Sequence, residues 1–196
     1  MPLLLVSVFC LRLVTGPAMA DRSDEAAQAL AHLPRAETVV KPRAYVSLAL
    51  VPRGSVFEMA VVAEILPGFH INANKVLQNY LIPTMLEAEL PVGFRLVETI
   101  YPPGQLKKFD FSPEKMAVYD GTVTLRMRIE ARRQAPLGPA KLPLALSYQA
   151  CNDTTCLPPV KIAMPVQVEI APTGAKARPT HPNIFRHREA HHDRGS

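Results

Sequence analysis

The sequence has no tryptophan, and only 6% of its residues are aromatic. Its 196 residues include nine glycines and three cysteines against twenty prolines. That balance argues against a helical protein, because proline clashes and removes a donor inside a helix yet is accepted in turns, strand edges and linkers. Beyond the first twenty residues no segment stays apolar for eighteen, the length a spanning helix needs, so nothing else in the chain is expected to hold it in a bilayer. A basic surface is lacking too. Of the formal charge of +5, Arg12 contributes one and residues 171–196 contribute three, which leaves the body near +1 and excludes a nucleic-acid footprint. The length, less a leader, suits one domain with an ordinary core.

What is present begins with an export signal. Residues 3–14 are apolar apart from Arg12 and lead to Ala18-Met19-Ala20, the small-x-small pattern of a cleavage site. A signal peptide over residues 1–20 and a periplasmic address are therefore expected. Its n-region has no Lys or Arg, so an uncleaved anchor is the alternative. Cys10 leaves with the leader, and bulky Phe9 before it argues against lipidation.

Periodicity indicates an all-β body. Val123, Leu125, Met127 and Ile129 alternate with polar residues, the signature of a strand with one face on a core. Residues 160–170 repeat the pattern, with Pro165 placing that strand at an edge or bulge. Further strands are expected at 44–51, 55–66, 80–90, 94–100 and 142–149, separated by Pro-Gly, Pro-Val-Gly, Pro-Pro-Gly and Asp-Gly turn signals. Short strands so spaced predict a β-sandwich over residues 41–171. A linker or short helix over residues 21–40 should precede it, any helix at 23–33 being stopped by Pro34. Residues 172–196 show no apolar period and read as a disordered basic tail. His181, His187, His191 and His192 lie there without anything to preorganise them, so no metal site is expected.

The most informative segment is Tyr148-Gln149-Ala150-Cys151-Asn152-Asp153-Thr154-Thr155-Cys156-Leu157-Pro158-Pro159. It places the two cysteines of the mature chain in one short polar loop. Closing so short a loop stabilises by roughly 2 kcal/mol, against about 5 for a hundred-residue loop, so the pair reads as a redox couple rather than a staple. A small structural disulfide pinning a hairpin is the alternative. No Lys, Arg or His adjoins the pair in sequence, and Asp153 tends to raise a thiol pKa by like-charge repulsion. Met59, Met85, Met116, Met127 and Met164 fall mostly on inward strand positions, where core packing explains them better than metal handling.

Several motifs in order carry a resemblance. Gly68-Phe69-His70-Ile71-Asn72-Ala73-Asn74-Lys75, Leu81-Ile82-Pro83-Thr84, Tyr101-Pro102-Pro103, Val118-Tyr119-Asp120-Gly121 and the cysteine loop together resemble the N-terminal periplasmic domain family of the thiol:disulfide interchange protein DsbD. The resemblance implies an immunoglobulin-like antiparallel β-sandwich that passes reducing equivalents by disulfide exchange. It implies that Cys156 forms the mixed disulfide and Cys151 resolves it. It also implies an aromatic cap loop, matched here by residues 107–115, with Phe109 or Phe111 as lid and Asp110 or Glu114 handling protons. His70 and Tyr148 are further candidates beside the thiols. Partners implied are thioredoxin-fold periplasmic oxidoreductases and a membrane-embedded thiol reductase supplied in trans, with the chain itself a monomer. No cofactor and no small-molecule substrate is expected, since two nearby cysteines are the minimum apparatus for exchange. A non-catalytic immunoglobulin-like binding module with a structural disulfide is the other reading.

Overall fold

Strand formation follows the alternation, and the computed structural model of residues 33–110 and 112–185 makes this visible. The chain divides into two compact units, residues 1–34 and 35–196, and every element below belongs to the second. The leader with Cys10 and all but Leu33 of the helix expected at 23–33 fall outside the described residues.

The body is all-β, an immunoglobulin-like sandwich. After a four-residue helix α1 (Ala36–Val39) come β1 (Val40–Val46), β2 (Leu48–Pro52) and β3 (Ser55–Ile65). Next are β4 (His70–Asn72), β5 (Met85–Ala88), β6 (Phe94–Ile100), β7 (Gln105–Lys107), β8 (Met116–Tyr119) and β9 (Thr122–Ala131). The chain continues through β10 (Gly138–Lys141), β11 (Leu144–Tyr148), β12 (Ala150–Cys151), β13 (Val160–Met164) and β14 (Gln167–Ala171), then β15 (Arg178–Pro179) and a short helix α2 (Pro182–Phe185). They pair as sheets ordered β1-β3-β9-β6, β10-β14-β2-β15, β13-β11-β5 and β12-β4-β8-β7. All pairs are antiparallel except β14 with β2.

The long β3–β9 pairing, from Ser55 opposite Ala131 to Glu64 opposite Thr122, organises the core. Val123, Leu125, Met127 and Ile129 face inward as the alternation requires. They join Phe57, Met59, Leu144, Leu146 and Ile170 in the interior. Met116 and Met164 are also buried, whereas Met85 is exposed and its sulfur accepts from the Asn74 side chain at 3.3 Å.

Several expectations change. Residues 160–170 form two strands rather than one: the chain leaves the ladder at Pro165, which has no N–H to donate, and β13 and β14 enter different sheets. Of residues 80–90 only Met85–Ala88 is strand. The residues before it are held as a loop by Asn72 Nδ2 donating to the Ile82 carbonyl at 2.9 Å and Thr84 Oγ1 donating to the Asn72 carbonyl at 2.6 Å. The folded body starts ahead of Lys41, because Ala36, Val39 and Val40 are buried and the Tyr148 hydroxyl donates to the Ala36 carbonyl at 2.9 Å.

The tail is the largest correction. Residues expected to be disordered dock as far as Phe185, the last described. Arg178 and Pro179 pair with Leu50 and Leu48, the Thr180 amide donates to the Ser47 carbonyl at 2.9 Å, and Arg126 donates to the Ile184 carbonyl. The His181 ring sits edge-on to Tyr45 with centroids 5.1 Å apart. Backbone pairing with the open edge of β2 needs no apolar period, which is why composition did not reveal it. His187, His191 and His192 lie outside the described residues.

Candidate functional site

The cysteine loop is built by Asn152. Its Oδ1 accepts from the Thr154 amide at 2.9 Å, the Thr155 amide at 2.8 Å and the Thr154 hydroxyl at 3.0 Å. Such an Asx turn lets a short polar side chain replace backbone partners at a tight bend. The Asn152 amide donates to the Thr155 carbonyl at 2.9 Å, and the Leu157 amide to the Ala150 carbonyl at 2.8 Å. These bonds set Cys151 and Cys156 directly opposite one another, and the two are joined as a disulfide with their Cα atoms 4.0 Å apart. Tyr148 and Gln149 then diverge as strand alternation demands. Gln149 reaches across to the Leu157 carbonyl at 3.3 Å, while Tyr148 is drawn into the core. Burial, the largest cause, pushes the Tyr148 hydroxyl up to about 12, so it anchors α1 and exchanges no proton near neutrality.

The two sulfurs are unequal. Cys151 is fully buried, whereas Cys156 is exposed. Behind Cys151 stands β4, which the chain enters through a turn at Gly68 whose φ of +82° suits a residue without Cβ. The pairing of β4 with β12 puts His70 opposite Cys151 and Ile71 opposite Ala150. On its other side β4 pairs with β8, and β8 with β7.

His70 is only 4% exposed, and its Nε2 is buried without a hydrogen-bond partner. Desolvation lowers its pKa to about 4, with Asp153 and Asp120 opposing that shift and Lys107 adding to it. Phe109 stacks on the ring, centroids 4.1 Å apart and planes 18° from parallel. Phe109 is itself buried, in a cluster with Met116, Val118 and Leu81.

The loop carrying Phe109 is braced from several sides. The Ser112 amide donates to the Phe109 carbonyl at 3.1 Å, and Lys108 Nζ reaches the Ser112 carbonyl. Gln78 donates to Glu114 Oε2 and to the Lys115 carbonyl, each at 3.2 Å. At its start Lys107 pairs with Asp120, whose carboxyl is held below its ordinary value chiefly by that hydrogen bond. Glu114 is thus part of the brace, Asp110 lies on the exposed side of the loop, and Phe111 is outside the described residues.

The fold therefore gathers Cys151, Cys156, His70 and Phe109, and draws Tyr148 away. Sequence reasoning passed over Gln78 and gave no role to Leu81 of the Leu81-Ile82-Pro83-Thr84 motif, though both hold the Phe109 loop. It also missed Asn152, which the Asn-x-Thr-Thr pattern does signal. Among the described residues no helix is long and apolar enough to cross a membrane.

Comparisons with known proteins bear on this geometry. A search of curated proteins finds no match. Among solved structures the chain is similar to the N-terminal periplasmic domain of ScsB from Proteus mirabilis, at 11% identity and a TM-score of 0.45, covering 66% of this chain and 46% of that one. It is also similar to the GAE domain of GGA2p from Saccharomyces cerevisiae, at 12% identity and a TM-score of 0.38, covering 65% and 88%. The chain thus spans less than half the length of the ScsB structure, and likenesses this distant carry no further argument. The family described as thiol:disulfide interchange protein DsbD, N-terminal, matches residues 36–167, from α1 to the start of β14 and through the whole cysteine loop. With most of its length matched and the cysteine pair closed as a disulfide, the chain belongs to the family of DsbD N-terminal domains.

Proposed function

We propose that this chain is an exported thiol–disulfide exchange domain that relays reducing equivalents through Cys151 and Cys156. They would come from a membrane-embedded thiol reductase supplied in trans and go to periplasmic thioredoxin-fold oxidoreductases. The observation that carries this reading is the inequality of the sulfurs. Exchange requires a thiolate to approach one sulfur of a disulfide and displace the other. Exposed Cys156 is open to that approach and buried Cys151 is not. Attack at Cys156 yields a mixed disulfide there and leaves Cys151 as the thiol that resolves it. The stacked pair of Phe109 and His70 serves as the cap over the buried side of the couple.

A purely structural bond is less well supported. The loop is already closed by the Asn152 turn and the Leu157–Ala150 hydrogen bond, so the disulfide adds only roughly 2 kcal/mol of loop-closure stabilisation.

The test uses an oxidised thioredoxin-fold protein and the reduced single-cysteine variants, read by non-reducing mass spectrometry. Cys151→Ala is expected to accumulate a mixed disulfide at Cys156, and Cys156→Ala to form none. Trapping through Cys151 reverses the assignment. A reduction potential between about −180 and −270 mV supports a carrier, while one well below about −300 mV marks an inert structural bond.

A further inference from the structure

A thiolate that appears in a buried place has to be stabilised or protonated. Cys151 is fully buried, and burial disfavours the charged form of a thiol. When exchange opens the disulfide at Cys156, the electron pair of the broken bond stays on the Cys151 sulfur. The residues beside Cys151 in sequence, Ala150 and Asn152, offer no proton carrier. The sheet provides one. His70 is the direct cross-strand partner of Cys151, and such partners share a face with Cβ atoms about 4.5–5.5 Å apart. Its ring is clamped by Phe109, and its buried Nε2 has no hydrogen-bond partner. Buried polar atoms are rarely left so, and an orphaned one in a reactive site calls for a functional reason.

Resting on the exchange reading above, we propose that His70 is the group that takes and returns the proton of Cys151 during disulfide exchange. In discharge, the Cys151 thiol passes its proton to the unpaired imidazole nitrogen as its sulfur attacks Cys156 of the mixed disulfide. The Cys151–Cys156 bond forms, the bond from Cys156 to the partner breaks, and the partner leaves as a thiolate with the electron pair. In charging, a partner thiolate bonds to Cys156, the Cys151 sulfur receives the electron pair, and the imidazole, which gave up its earlier proton to water once the disulfide had formed, draws another from water and passes it to that sulfur. The two electrons are those of the partner's dithiol.

The charges around the ring suit a redox-linked proton. Asp153 from the cysteine loop and Asp120 from the turn after β8 favour the imidazolium, and Lys107 of β7 opposes it. Burial outweighs them in the disulfide form, where the sulfur opposite is uncharged. A thiolate on Cys151 adds a negative charge on the facing strand and raises the ring's affinity for a proton.

Two measurements test this without a protein partner. The first mixes reduced protein with oxidised glutathione from pH 5 to 9 and follows, by acid quench and mass spectrometry, discharge of the adduct at Cys156. The His70→Gln variant is expected to discharge in proportion to ordinary thiol ionisation, about tenfold per pH unit up to about 8.5. The unmutated protein should instead hold its rate to lower pH and exceed the variant at least about tenfold at pH 6.5. Superimposable profiles overturn the proposal. The second needs no substitution: NMR of the His70 ring should show no titration between pH 5 and 8 in the oxidised protein and a clear one in the reduced protein. The same behaviour in both states overturns it. Failure of thioredoxin-fold partners to be trapped would count against the relay alone, because glutathione reports on His70 independently.

Discussion

The β1-β3-β9-β6 sheet and the β12-β4-β8-β7 sheet are built on opposite terms. In the first, β3 and β9 pair over ten residues and bury an uninterrupted row of apolar side chains. In the second, every strand has four residues or fewer, and β4 and the loop after it leave His70 Nε2, Asn72 Oδ1 and Gln78 Oε1 buried without partners. Leu77, Tyr80 and Leu106 are exposed in the loops and edge strand of that same region. Apolar burial is the main source of stability, and unpaired polar atoms cost stability. The molecule thus has its longest run of apolar packing in one sheet and its reactive, imperfectly satisfied groups in another.

The hardest test of that division is Leu125→Ala in the long sheet. Emptying a fully buried site of this kind is expected to cost about 3–4 kcal/mol in urea unfolding while leaving the rate of glutathione exchange at Cys156 unchanged. A parallel loss of exchange would show that the two regions are not separable.

Acid should sharpen the contrast from the other side. His70 has a pKa of about 4 in the folded protein against 6.5 when free, so between those values the unfolded chain binds a proton that the folded one does not. Its contribution is fully present above pH 6.5 and is lost as the pH falls toward 4, by up to roughly 3 kcal/mol at about 1.4 kcal/mol per pKa unit. Urea midpoints measured at pH 7 and 4.5 should therefore converge in His70→Gln relative to the unmutated protein. An equal loss in both would place the acid sensitivity elsewhere.

The smallest effect belongs to the docked tail, which is held by β2, by Tyr45 of β1 and by Arg126 of β9. Truncation after Ala177 should cost about 1 kcal/mol and lower the thermal midpoint by about 2–4 °C, with exchange intact. An unchanged midpoint would mean that the pairing with β2 contributes no net stability.

How much of this was legible depended on how local the signal is. The inward row of Val123, Leu125, Met127 and Ile129 could be read directly, because side-chain alternation is fixed by the backbone of one strand. The motifs of the cysteine loop were equally plain. Strands β4, β7, β8 and β12 were not, since two to four residues are too few to show a period and their partners lie far away in the chain. Pro165 was noticed, but whether a proline bends one strand or divides it into two depends on which sheets lie nearby.

The sequence by itself determined an all-β chain with one closely spaced cysteine pair and the loop residues that make it a family signature. Tertiary structure alone decided that Cys151 is buried and Cys156 exposed, that His70 stands opposite Cys151 under Phe109, and that Tyr148 is spent on anchoring α1. The reason is physical. Chemical type and alternation are properties of neighbouring residues, whereas burial and cross-strand partnership arise only when distant segments pair and exclude water together.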